Sequence, residues 1–144
     1  MNIQKFFPLI KYINLDERKD RDILARKEFE KIGVFPERFS AIKRDNGAEG
    51  CYLSHLNLLR EAEIRGENLL VFEDDVQFCD GAKDIIKSAL DELKDKNWVL
   101  FYLGGNLLRP AYQCSKNLAR LTHCQSTHSI GYNIKYITGE VGGT

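Results

Sequence analysis

The sequence lacks the features that would mark a nucleic-acid binder, a membrane span or a disulfide scaffold. Neither charge is in excess: 21 lysines and arginines balance 21 aspartates and glutamates, which leaves no electrostatic footprint for nucleic acid or an anionic membrane. No apolar run approaches a membrane span, so no transmembrane segment is expected. The N-terminal MNIQKFFPLI lacks the long apolar stretch and small-residue cleavage site of a secretory signal, and a cytoplasmic location is expected. Cysteine is sparse. Cys51, Cys79, Cys114 and Cys124 form no Cys-x-x-Cys pair, and free thiols are expected rather than bridges. His123, Cys124 and His128 offer three zinc ligands but no paired knuckle, a weak pattern for a metal site. Internal repeats and low-complexity tracts are also missing.

What is present suits one soluble globular domain, residues 1–144. The chain is long enough for one core and short for two, with 43% hydrophobic and 29% charged residues. Leu9 to Leu15 is apolar and β-favouring and predicts a strand, with Asp16 as the N-cap of a following helix. In that helix, Glu17 to Ile32, one face carries Ala25, Phe29 and Ile32, and Gly33 stands at its C-terminal stop. Arg38 to Ile42 predicts a short strand, and Lys43 to Glu49 a polar loop. A second helix, Cys51 to Arg65, is expected to carry a stripe of Tyr52, Leu56, Leu59 and Glu63, with His55 inward or at its boundary and Gly66 as its stop. Ala82, Ile85, Ile86, Ala89, Leu90 and Leu93 follow helical spacing closely. Trp98 to Leu103 reads as a strand buried on both faces, and Leu118 to Thr122 and Ile130 to Ile137 as later strands.

The sharpest local signal lies between the second and third helices. In NLLVFEDDVQF, the apolar run Leu69 to Phe72 ends abruptly in Glu73, Asp74 and Asp75. Three adjacent carboxylates at the end of a buried strand repel one another and are costly to desolvate, so a positive partner is expected among them. A divalent cation with hard oxygen ligands, Mg²⁺ or Mn²⁺, would meet that need and could carry a phosphate. The bland alternative is a solvated acidic loop ahead of a helix.

Alternating strands and helices predict an α/β fold with a mostly parallel sheet flanked by helices. Ligands of such sheets bind beyond the carboxyl ends of the strands. The residues expected there are Asn14 to Asp16, Lys43 and Arg44, Glu73 to Asp75, and Gly104 to Asn106. Carboxylates for a metal, basic side chains for phosphate and glycines for close backbone approach would thus share one rim, and a nucleoside diphosphate with its metal would satisfy all of them.

The segments YINLDERKDR (12–21), ERFSAI (37–42), EGCYLSH (49–55), LLVFEDDV (69–76) and FYLGGN (101–106) occur in an order and spacing that resembles glycosyltransferase family 25, the lipooligosaccharide-type galactosyltransferases related to collagen galactosyltransferases. The resemblance implies a GT-A type, Rossmann-like fold and inverting transfer of a sugar from a nucleotide donor, UDP-galactose, to a glycan hydroxyl. It implies Glu73 and Asp75 as metal ligands for Mn²⁺ or Mg²⁺. Asp74 would lie toward the sugar or ribose, Asn14, Leu15 and Arg18 would line the nucleotide, and Ser54 and His55 would sit on the helix beside the donor. Lys43 is the expected phosphate contact from its place on the rim. Gly131 and Tyr132 resemble the family's later glycine-tyrosine strand, although an aromatic there also suits simple packing. The chain ends soon after it, so a fold short or truncated at the C-terminus is expected. The partners implied are the sugar nucleotide and a glycan acceptor, with peripheral membrane association only through that acceptor.

No general base is identified; Asp80 and Glu140 qualify by residue type alone. A non-catalytic domain that keeps the fold and binds a sugar nucleotide without turnover stays open as a second reading. A metal-dependent phosphohydrolase ranks last, for want of a nucleophile or second metal cluster.

Overall fold

A strand buried on both faces needs apolar side chains at consecutive positions, and LIKYIN meets that condition except at Lys11 and Asn14. In the computed structural model, which describes residues 2–103, 112–113, 115–120 and 129–137, this segment is strand β1 (Leu9–Asn14), buried along its whole length. A four-residue helix α1 (Ile3–Phe6) precedes it. Helix α2 (Lys19–Ile32) buries the expected Ala25, Phe29 and Ile32 and ends at Gly33 in the left-handed conformation. Its start corrects the expectation: Asp16 does not cap it. The helix begins after Arg18 without a side-chain cap, because Asp16 is held instead by Arg38 and Ser40 of the next strand.

Strands β2 (Glu37–Ser40) and β3 (Leu69–Glu73) run parallel to β1 on its two sides. Between them lies helix α3 (Gly47–Arg65), which starts four residues earlier than expected because Asn46 Oδ1 accepts from the amides of Ala48 and Glu49. Its buried face is also rotated from the expected stripe: Gly50, Ser54, His55, Leu58 and Ala62 point inward, while Tyr52 is 64% exposed. Small residues on that face let the helix settle closely against the chain that follows β2. Helix α4 (Ala82–Leu93) falls where the spacing placed it.

The sheet departs from the mostly parallel arrangement. Strand β4 (Leu100–Tyr102) does not pair with β3; β7 (Ser129–Tyr132) enters between them, antiparallel to both, giving the order β2-β1-β3-β7-β4. The result is a mixed five-stranded sheet flanked by helices. Gly131 makes this insertion possible, since a Cβ there would lie 2.5 Å from the ring of Phe7. As the edge strand, β4 is not buried on both faces: Phe101 is buried, whereas Val99 and Leu100 are 49% and 42% exposed. The stretch from Ile130 to Ile137 is not one strand, because β7 gives way at Asn133 to the short helix α5 (Ile134–Ile137). Ala119–Arg120 (β6) pairs with Tyr112–Gln113 (β5) in a separate two-stranded ribbon.

Strand alternation sorts the core into two layers. Ile10, Tyr12, Leu70 and Phe72 face α2 and α4, with Phe29 between them, and Leu9, Ile13, Leu69 and Val71 face Leu58 and Ala62 of α3. The same alternation puts Glu73, two residues beyond Val71, on the α3 side.

Lys11, which with Asn14 is polar and buried in β1, is only 4% exposed. Its Nζ lies 2.7 Å from Glu37 Oε1 and 3.3 Å from Glu61 Oε2, and its hydrogen bond, then its charge, hold the Glu37 carboxyl below the usual range. Because the Glu37 side chain is 75% exposed, water can solvate it once the lysine is gone. Lys11→Met, which keeps the buried stem, is therefore expected to stay within about 1 kcal/mol of the wild type. Lys11→Ala, which removes that stem, is expected to cost about 2 kcal/mol or more; urea denaturation of the two variants checks the difference.

Candidate active site at the carboxyl end of the central strands

The three carboxylates after β3 do not converge on one point. Glu73, on the α3 side, receives two groups from that helix: His55 Nε2 lies 3.2 Å and Cys51 Sγ 3.4 Å from its Oε1. His55 Nδ1 in turn lies 3.1 Å from the hydroxyl of Tyr132 on β7. Burial first, then nearby Tyr102, Cys51 and Glu73, push the Tyr132 phenol well above its ordinary pKa, so it stays protonated. His55 is 8% exposed, which agrees with the inward position expected from its place on the helix.

Asp74 faces the other way. Its Oδ2 accepts from Asn14 Nδ2 at 2.9 Å and its Oδ1 from Arg21 Nη1 at 3.3 Å. Asn14 is 2% exposed and fully engaged: Nδ2 also donates to the Arg18 carbonyl, and Oδ1 accepts from Arg38 Nε at 2.9 Å. Arg38 passes on to Asp16, and its hydrogen bond, followed by that of Ser40, holds the Asp16 carboxyl below the usual range. Asp75 is exposed, in the turn closed by Val76 N to Glu73 O. A positive partner expected among the acids is thus supplied by the chain itself, Arg21 on Asp74, while Glu73 is held by hydrogen-bonding groups of α3.

Glu73 and Asp74 form one wall of a cleft of about 300 Å³ at the carboxyl ends of β1, β2 and β3. Ile13 and Leu15 supply an apolar side, and Ala41 and Ile42 another. Arg21, Lys43 and Arg44 bring three cations to the same space. Two of them are matched, Arg21 by Asp74 and Lys43 by Glu17 at 2.8 Å. Arg44 donates to the carbonyl of Lys43 and makes no ion pair among the described residues. A cleft lined by carboxylates, cations and apolar side chains together is chemically suited to a molecule that is part ring and part anion.

Most of the residues expected from the sequence meet here. Asn14 holds Asp74, Leu15 and Lys43 line the cleft, and Glu73 and Asp74 wall it. Ser54 lines it too, but its hydroxyl is committed, accepting from Ile42 N at 3.0 Å and donating to Gly50 O at 2.9 Å. It fastens the wall of the cleft to α3. Arg18 turns to Asp20, with two contacts of 3.0 Å, and Asp75 sits outside the residues that line the cleft. Asp80 is exposed. Glu140, Gly104 to Asn106, and His123, Cys124 and His128 lie outside the described residues. Sequence reasoning gave no role to Arg21 or Arg38; the available signal was their place inside the segments YINLDERKDR and ERFSAI. Among the described residues, a ligand atom from each of Cys51, His55 and Glu73 lies within 4.8 Å of the other two. No helix among the described residues is long and apolar enough to cross a membrane.

Comparison with known proteins bears on this site. The model of glycosyltransferase family 25 (LPS biosynthesis protein) matches residues 45–137, which include Cys51, His55, Glu73 to Asp75 and Tyr132. Among curated proteins, the chain is similar over 79 residues to "Probable inactive glycosyltransferase 25 family member 3" of Bos taurus, at 32% identity, and to "Inactive glycosyltransferase 25 family member 3" of Mus musculus and of Homo sapiens, each at 30%. Each match takes in 53% of this chain and spans only 13% of the relative's length. With well over half of its residues matched, this chain belongs to glycosyltransferase family 25.

Proposed function

We propose that the cleft binds a UDP-sugar, UDP-galactose by family likeness, and that the protein transfers its sugar to a glycan hydroxyl as in lipooligosaccharide synthesis, on a GT-A type fold. The observation that carries this reading is the meeting of Glu73 and Asp74 with Arg21, Lys43 and Arg44 at the carboxyl end of the parallel strands. A diphosphate needs cations, and Arg44, which has no ion pair among the described residues, is suited to receive one. Ile13 and Leu15 would pack against the base or ribose. Asp74, oriented by Asn14 and Arg21, would accept from a sugar or ribose hydroxyl.

Glu73 on the cleft wall and Asp75 exposed in the turn are the hard oxygen donors that would hold a divalent cation, and because the two carboxylates do not converge, the turn would bring Asp75 toward the cleft as the ion binds. When bound there, Mn²⁺ or Mg²⁺ supplies neutralisation of the charge that develops on the departing diphosphate. The chain's own part is to hold the donor, with Asp74 fixing the sugar side and Arg44 the phosphate side. A glycan acceptor carried on a lipid would bring a cytoplasmic protein to a membrane surface without a spanning helix.

The relatives named inactive favour a second reading, in which the domain binds the sugar nucleotide without turnover. Both readings require donor binding, so that is tested first. UDP is expected to raise the melting temperature more with Mn²⁺ than in EDTA, because cation and diphosphate share ligands. Asp75→Asn is expected to abolish the Mn²⁺-dependent part while leaving the metal-free protein about as stable, since the side chain is exposed. Equal stabilisation by UDP in EDTA would count against a metal-bridged diphosphate. Hydrolysis of UDP-galactose in the presence of Mn²⁺ then separates the transferase from the binding domain.

A further inference from the structure

The contact between α3 and the end of β3 has a chemistry that a sugar-nucleotide site does not use. Cys51, His55 and Glu73 place a thiol, an imidazole and a carboxylate together, and this donor set is soft where the Glu73 and Asp75 pair is hard. We propose that Cys51, His55 and Glu73 form a three-ligand site for a thiophilic divalent cation, zinc in the first instance, with its open position toward the cleft. This inference shares Glu73 with the proposed nucleotide site but does not depend on that reading.

The distances fit. Tetrahedral zinc with Zn–S of about 2.3 Å and Zn–N and Zn–O of about 2.0 Å holds its ligand atoms about 3.2–3.6 Å apart. Here Nε2 of His55 and Sγ of Cys51 lie 3.2 and 3.4 Å from Oε1 of Glu73, so two of the three spacings already match, and the third pair lies within 4.8 Å. Charge fits as well: one thiolate, one carboxylate and a neutral imidazole cancel the two charges of the cation, which suits a half-buried place. Binding releases the thiol proton and, at neutral pH, leaves His55 with a single ring proton. That proton belongs on Nδ1, where the hydroxyl of Tyr132 at 3.1 Å accepts it and leaves the Nε2 lone pair for the metal. A buried phenol kept protonated is the kind of outer partner that fixes a ligating imidazole. Access is also provided, because Cys51 and Glu73 both line the cleft. Three protein ligands and one position open to a cavity describe a site able to take water or an anionic oxygen from a bound molecule as its fourth ligand.

The alternative is a metal-free hydrogen-bond network, in which His55 Nε2–H and the Cys51 thiol both donate to Glu73 and Tyr132 donates to Nδ1. Cobalt(II), which reports thiolate ligation by its colour, distinguishes the two without any nucleotide present. Titrating the whole chain with Co²⁺ is expected to produce a near-ultraviolet thiolate-to-cobalt band that saturates at one equivalent, is displaced by Zn²⁺, and is lost in Cys51→Ser. No band in the wild type, or one undiminished in Cys51→Ser, would overturn the site. A second measurement needs no variant: alkylation of the wild-type protein with iodoacetamide, read by peptide mapping. Zn²⁺ is expected to protect Cys51 and to leave the exposed Cys79 reacting as before. Unprotected Cys51 at saturating Zn²⁺ would also overturn it. Because UDP enters neither experiment, failure here leaves the donor-binding result standing, and a missing UDP shift leaves this one standing.

Discussion

Replacing Gly50 by alanine is expected to remove the proposed nucleotide binding altogether while the protein still folds. Gly50 sits on the buried face of α3, and a Cβ at that position would lie 2.4 Å from the carbonyl oxygen of Ile42 and 3.5 Å from the amide of Arg44. These are backbone atoms, so no rotamer relieves the overlap; either the helix backs away or the segment from Ile42 to Arg44 moves. Ser54 ties the two together by accepting from Ile42 N and donating to Gly50 O, and any shift stretches both bonds. The moving segment carries Ile42, Lys43 and Arg44, which is the basic wall of the cleft. Overpacking of this kind costs about 1–3 kcal/mol, and the melting temperature should fall by roughly 3–10 °C. The Mn²⁺-dependent response to UDP should disappear at the same time. Gly47→Ala is the stability control, since a Cβ there meets nothing within 4 Å, and it should be neutral or slightly stabilising through helix propensity. A Gly50→Ala protein that melts and binds like the wild type would show that the wall does not depend on this close approach.

Phe29→Ala should cause the largest stability loss among single core substitutions at the heart of the domain. Phe29 is 2% exposed, and its ring lies 5.2 Å from that of Tyr12, 5.1 Å from Phe72 and 6.5 Å from Phe78. It therefore joins α2 to both central strands and to the segment that follows the acids. Truncation leaves a cavity that three rings on separate elements cannot all move to fill, and about 3–5 kcal/mol is expected. Against a typical total of about 5–15 kcal/mol, that is enough to leave a marked unfolded population at physiological temperature. The urea midpoint should fall sharply with the slope little changed. A loss below about 1 kcal/mol would mean that the aromatic layer repacks around the gap.

Where the sequence could be read correctly, the determinants lay within a few residues of one another. The spacing of Ala25, Phe29 and Ile32 with Gly33 behind them fixed α2's inner face and its stop, and Ala82 to Leu93 did the same for α4. The abrupt end of LLVF in EDD marked the strand end at which the cleft was found. Helix starts were less legible. Asp16 had the right chemistry for a cap, but Arg38 and Ser40, more than twenty residues away in sequence, took its carboxylate first. Asn46 supplied a cap that the polar loop pattern concealed.

The sequence by itself determined β1, α2, β3 and α4, the acidic strand end and the motifs by which family 25 is recognised, because each is encoded in neighbouring residues through periodicity and composition. Only the tertiary structure decided which strands are neighbours: β7 could enter between β3 and β4 because Gly131 clears the ring of Phe7, a steric condition set by a residue far away in the chain. Only the tertiary structure divided the three acids, sending Asp74 to Asn14, 60 positions earlier, and Glu73 to His55 on α3. Side-chain alternation along β3 sends Glu73 to the α3 face, while Asp74 follows in the turn beyond the strand, and which partners each meets depends on how the surrounding elements pack. Those contacts are long-range, and no local pattern in the sequence records them.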